Sequence, residues 1–124
     1  MARVLVIDDN EDFRKLALLW FDINRIPAEG VGSGRAALEV QRRSPAEVIV
    51  TDIYMPDLDG VETIKRLRAE FPEVKIIAVT GRSSLDADDA LRDAAEAGAA
   101  RTFRKPLKLD ALVDAVRALM REHS

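Results

Sequence analysis

The chain contains no cysteine. Disulfides and thiolate zinc sites are therefore excluded, and the composition suits a reducing cytoplasm. Histidine is almost as scarce: the single one, His123, stands next to the last residue and reads as an exposed last-turn side chain. Long apolar runs are missing too. Val4-Leu5-Val6-Ile7 superficially resembles the start of a signal peptide, but it stops at two aspartates. A signal sequence needs roughly 7–15 apolar residues and a membrane span about 20. A soluble, unexported, cytoplasmic protein without membrane contact is expected. Charge of one sign does not accumulate either. Nineteen basic and 22 acidic residues are mixed along the chain for a net charge of −3, and 14 of the basic residues are arginine. No basic stripe points to nucleic acid and no acidic tail to a solvating arm; the arginine excess reads as compositional bias.

What is present fits one folded domain over residues 1–124, with 48% apolar and 33% charged residues and length enough for a real core. Apolar runs of strand length alternate with amphipathic stretches of helix length, the pattern of parallel βα units. Strands are predicted at Arg3–Ile7, Ala28–Val31, Val48–Thr51, Lys75–Val79 and Arg101–Phe103. The first, third and fourth are continuous and rich in Val and Ile, as strands covered on both faces should be. The second, with Glu29 and Gly30, fits a short edge strand. Helices are predicted from an Asn10 or Asp9 cap to about Asn24, Gly34 to Arg43, Gly60 to Glu70, Asp86 to Ala97 with Gly98 as C-cap, and Leu109 to Glu122. The first helix should bury Phe13, Leu16, Ala17 and Trp20. The last should bury Leu109, Leu112, Val113, Val116, Leu119 and Met120. The expected fold is a doubly wound α/β sheet of five parallel strands in the order 2-1-3-4-5, flavodoxin-like, with five helices.

Five polar side chains sit where apolar runs stop: Asp8, Asp9, Asp52, Thr80 and Lys105. In an open parallel sheet the ligand crevice lies outside the carboxyl ends of the strands, so these residues can meet at one point. An acid after the first strand could simply cap the next helix, but two adjacent acids exceed that need. A strand-ending threonine, or a Lys-Pro pair opening a helix, is equally bland alone. Their shared edge changes the reading. Two carboxylates ~4 Å apart repel by roughly 4 kcal/mol at an effective dielectric of 20, and three in one crevice need compensation. A hard cation with oxygen ligands provides it; Mg²⁺ typically takes one or two carboxylates plus waters and phosphate oxygens. A carboxylate nucleophile makes an acyl phosphate. Phosphoryl transfer asks for in-line geometry and charge neutralisation, so a metal, an ammonium and a hydroxyl are a suitable inventory.

Asp8-Asp9, Asp52 with Met55-Pro56 and Gly60, Thr80-Gly81 and Lys105-Pro106 resemble, in order and spacing, the receiver domain of bacterial two-component response regulators over essentially the whole chain. The resemblance implies that Asp52 is the phosphoacceptor, charged by a phosphohistidine on a sensor histidine kinase or histidine phosphotransfer protein. It implies Mg²⁺ held by Asp9, Asp52 and the backbone carbonyl of Tyr54, with Asp8 acting mostly through water. Lys105 would pair with the phosphoryl oxygens and Thr80 would hydrogen-bond them. The Lys105–Pro106 bond is cis in many relatives. The output implied is a changed contact with a downstream protein target or a phosphorylation-dependent homodimer, with no turnover beyond self-phosphorylation and autodephosphorylation.

The match has departures. Relatives commonly carry a switching aromatic ring three residues before the lysine; here that position is Thr102, and alternation should turn Phe103 to the other face. The output signal is then expected to travel through helix or loop movement. Gly81-Arg82-Ser83-Ser84 reads as a mobile loop, and bulky Arg82 and Tyr54 would flank an attacking water and slow dephosphorylation. On the outer face of the first helix, Arg14, Lys15 and Leu18 are expected partner contacts. The chain stops just after the fifth helix, which leaves a complete single-domain regulator and a piece of a larger one both open. Two other readings stand beside this one. A Mg²⁺-dependent aspartyl phosphohydrolase would place its nucleophile in an Asp-x-Asp pattern after the first strand, where Asp-Asp-Asn stands. A pseudo-receiver would bind partners without phosphorylation, against the intact acids, threonine and lysine.

Overall fold

The computed structural model describes residues 3–53, 60–81 and 87–121. Tyr54, Met55, Pro56, Arg82, Ser83, Ser84 and His123 lie outside them, and with them the expectations placed on the Tyr54 carbonyl and the Gly81–Ser84 loop.

Strands β1 (Val4–Ile7), β2 (Ala28–Val31), β3 (Val48–Asp52), β4 (Lys75–Thr80) and β5 (Arg101–Arg104) form one parallel sheet in the order β2-β1-β3-β4-β5. Helices α1 (Glu11–Ile23), α2 (Gly34–Arg43), α3 (Gly60–Glu70), α4 (Ala87–Ala97) and α5 (Leu109–Arg121) connect and flank it. This is the predicted fold, with boundaries displaced by a residue or so.

Alternation along the central strands feeds two cores. Val4, Val6, Val48, Val50, Ile77 and Val79 meet Ala17, Phe21 and the Leu112, Val116 and Leu119 stripe of α5. Leu5, Ile7, Ile49, Ile76 and Ala78 meet residues of α2 and α3, among them Leu38, Ile64 and Leu67, and Ala94 of α4. β1 and β3 are buried along their whole length, which is why continuous Val/Ile runs, rather than alternating ones, encode them. β2 and β5 are the edges and are correspondingly more exposed.

Helix ends follow local chemistry. The Asn10 side chain accepts the Phe13 N–H as the α1 N-cap, and Ser33 does the same for Ala36 at α2. After α1, the N–H of Ile26 reaches the carbonyl of Phe21, with Arg25 left-handed at φ 61°. After α4, Gly98 takes φ 122° and the Ala99 N–H returns to the Ala94 carbonyl, as the expected C-cap.

One expected core position is corrected. Leu16 is 48% exposed, whereas Phe21 is buried. The sheet-facing stripe of α1 runs through Phe13, Ala17 and Phe21, spaced by four residues, and Leu16 lies beyond its edge. Trp20 is half-buried against the core and donates its indole N–H to Asp110 Oδ1 at 2.8 Å.

Candidate functional site

Register brings the site together. Ile7 pairs with Thr51, so Asp8 and Asp52 are the next residues on neighbouring strands. Asp52 pairs with Val79 and Thr80 with Arg104, which places Thr80 and Lys105 one step further along the same edge. The main chain confirms the alignment, with Lys105 N–H donating to the Thr80 carbonyl at 2.7 Å. The Lys105–Pro106 peptide is cis.

Asp8, Asp9 and Asp52 each offer a carboxylate oxygen such that all three atoms lie within 4.8 Å of one another. Asp8 and Asp52 are buried, and Asp9 is exposed at the mouth. Lys105 Nζ sits 2.8 Å from Asp8 Oδ2 and 4.0 Å from Asp52 Oδ2, above the Phe13 ring at 4.1 Å from its centroid. Thr80 is fully buried. Sequence spacing had singled out all five side chains, and folding gathers four of them around one point, with Thr80 on the adjoining strand end.

The group fits a hard divalent cation. Three carboxylates at this separation repel strongly, Lys105 supplies one positive charge, and the donors are all oxygen. Asp9 is the exposed member of the three.

Gly60 packs against the backbone at the end of β3. Its N–H donates to the Ile53 carbonyl at 2.8 Å. A Cβ there would come within 2.4 Å of the Asp52 carbonyl oxygen and of Ile53 Cα, so only glycine lets α3 start this close to the end of β3.

Three supports escaped the sequence reading. The Asn10 N–H donates to Asp8 Oδ1 at 2.9 Å. The Phe13 ring lies beneath the lysine. Arg14, expected as a partner contact, instead turns inward and donates from Nη1 to the Asp8 carbonyl at 2.7 Å. Leu18 packs into the core on the α1/α5 face of the sheet, with its Cδ1 over Gly30, while Lys15 stays exposed and pairs with Glu11. The available signal for Arg14 was the glycine opposite it at position 30, which reads equally well as a mark of an edge strand. Thr102 is exposed, and Phe103 packs on the α1/α5 side, as alternation predicted.

Comparison with known proteins agrees with the geometry. The chain is 33% identical over 119 residues to the response regulator MprA of Mycobacterium leprae, covering 96% of this chain and 51% of that one. It is 26% identical to sporulation initiation phosphotransferase F of Bacillus subtilis, covering 93% and 90%. The solution structure of the beryllofluoride-activated NtrC4 receiver domain dimer superposes with a TM-score of 0.89 at 27% identity, over 100% of both chains. The chain spans about half the length of the first curated relatives it matches. No helix among the described residues is long and apolar enough to cross a membrane. A family model for the response regulator receiver domain matches residues 4–117, and the chain therefore belongs to the receiver domains of two-component response regulators.

Proposed function

We propose that Asp52 is the phosphoacceptor of a Mg²⁺-dependent receiver in a two-component system or phosphorelay. The observation that carries this reading is the convergence of the three carboxylates within 4.8 Å beside Lys105. Asp9 and Asp52, with the Tyr54 carbonyl, would hold the metal, and Asp8 would act mainly through water. When bound, the metal would neutralise charge on the phosphoryl oxygens. An Asp52 carboxylate oxygen attacks phosphorus. The P–N bond of the donor phosphohistidine breaks, its electron pair leaves on the ring nitrogen, and that nitrogen takes up a proton. Lys105 and the Thr80 hydroxyl bind nonbridging oxygens of the resulting acyl phosphate, and attack by water returns free phosphate. No other turnover is assigned to the chain.

The donor is a sensor histidine kinase or a histidine phosphotransfer protein. A groove of about 440 Å³ beside Lys105, lined by Phe13, Leu16, Pro106, Leu107 and Leu109, suits the apolar side of such a partner, and the half-exposed Leu16 fits this use. Phosphorylation then changes contacts with a downstream protein or a second copy. The dimer named for the NtrC4 relative supports the second route. The lack of cysteine fits a cytoplasmic setting.

The test is incubation with Mg²⁺ and acetyl phosphate followed by intact mass. The expected result is one base-labile phosphoryl adduct, absent from Asp52→Asn and absent with chelator. Catalytic consumption of donor without an adduct points to a phosphohydrolase. Absence of both points to a pseudo-receiver.

A further inference from the structure

Arg14 belongs to α1, yet its side chain leaves the helix and runs back over β2. At Gly30 an added Cβ would lie 2.9 Å from Arg14 Cγ, 3.0 Å from its Cδ and 3.0 Å from Leu18 Cδ1. At Gly32 it would lie 3.4 Å from Arg14 Nη1. The arginine stem therefore lies in a notch that exists because two positions of β2 and its following loop carry no side chain. The guanidinium emerges from that notch onto the Asp8 carbonyl, 2.7 Å away.

That carbonyl has a particular importance. It shares one rigid plane with the N–H of Asp9, the exposed acid of the carboxylate cluster. The other groups of Asp8 are already held: its N–H by the Val31 carbonyl at 3.1 Å, Oδ1 by the Asn10 N–H, and Oδ2 by Lys105. The rotation of the Asp8–Asp9 peptide is thus closed by Arg14, and that rotation sets where the Asp9 carboxylate points.

We propose that Arg14 is a positioning residue for the metal site: seated in the Gly30 notch, it fixes the Asp8–Asp9 peptide plane and so aims Asp9 at the cation. This rests on the reading of the cluster as a Mg²⁺ site. The charge of Arg14 alone acts in the opposite sense, because a nearby cation repels Mg²⁺. Positioning and bare charge therefore predict opposite signs.

Arg14→Met keeps the stem and removes the guanidinium. Calorimetric titration with Mg²⁺ should show affinity weakened about tenfold, the size expected for loss of a group that orients a metal ligand. The Asp9 amide resonance of the metal-free protein should shift, and Arg14→Lys should restore part of the affinity. Gly30→Ala, which alters no polar group, should weaken Mg²⁺ binding in the same direction by displacing the stem. Added to Arg14→Met it should cost no further affinity, a coupling that a double-mutant cycle reads directly. If Arg14→Met does not fold, wild type against Gly30→Ala still decides by the same two readouts. Affinity that tightens, or that stays within about twofold in Arg14→Met while only the melting temperature falls, overturns the proposal. A wild type that binds no Mg²⁺ instead overturns the metal-site reading, and the inference with it.

Discussion

Lys105 Nζ rests against Asp8, at 2.8 Å, and stands 4.0 Å from Asp52. In this structure the lysine thus pairs with the most buried of the three acids, while the proposed acceptor carboxylate lies farther from it. Asp8 is 1% exposed, and its two carboxylate oxygens are taken by this partner and by the Asn10 N–H. Lys105→Met should destabilise the metal-free protein by about 2 kcal/mol, below the usual range for breaking a buried pair because Asn10 still holds one oxygen. The same change should tighten Mg²⁺ binding, about tenfold, by removing a neighbouring cation. Denaturant unfolding with and without Mg²⁺ measures both; equal Mg²⁺ affinity in the two proteins would show that the lysine does not compete with the metal.

Gly60 and Gly81 flank the site but differ in what surrounds them. A Cβ at 60 meets backbone at 2.4 Å, whereas one at 81 meets the flexible Lys105 side chain at 3.2 Å. Gly60→Ala should cost about 3 kcal/mol or more, since α3 must lift off β3. Gly81→Ala should cost under about 1 kcal/mol. Similar losses for the two, read from urea midpoints, would mean that the close approach of Gly60 does not constrain the fold.

Leu16, which helical periodicity assigned to the core, is exposed, and Phe21 is buried. Leu16→Ser should leave stability within about 0.5 kcal/mol, and Phe21→Ala should lose about 3–5 kcal/mol. If the groove beside Lys105 seats the phosphodonor, Leu16→Ser should also slow transfer from a phosphohistidine protein while leaving acetyl phosphate labelling unchanged. Equal slowing with both donors would remove Leu16 from the docking surface.

Arg25 occupies the left-handed region at φ 61° just past α1, where a side chain costs roughly 1–2 kcal/mol. Its N–H bond to the Asp22 carbonyl, and the neighbouring bond from Ile26 to Phe21, are backbone only and survive substitution. Arg25→Gly should therefore stabilise the protein by about 1 kcal/mol, raising the melting temperature by about 4 °C. A lower melting temperature would indicate that the arginine side chain contributes more than its backbone strain costs.

Much of the site was visible before folding was considered. A buried parallel strand must be a continuous apolar run, so its end is marked by the first polar residue, and a doubly wound sheet lines such ends along one edge. Asp8 and Thr80 follow directly from that rule, and Asp52 follows one place on, behind the buried Thr51. Lys105 comes after the polar edge strand β5 and was legible through its Lys-Pro pair in the family pattern. Gly60 was visible as part of a motif, but its reason was not, because the clash it avoids is with backbone eight residues back in the chain.

The amino-acid order by itself determined the number and type of elements, the strand-end acids and the family pattern, because these depend on local periodicity and on one topological rule. Tertiary structure alone decided which carboxylate oxygen the lysine takes, that Arg14 turns inward over Gly30, and that Phe21 displaces Leu16 from the core. Those outcomes depend on distances between separate strands and helices. Local periodicity fixes which residues share a helix face, but not which of two adjoining stripes the neighbouring elements cover.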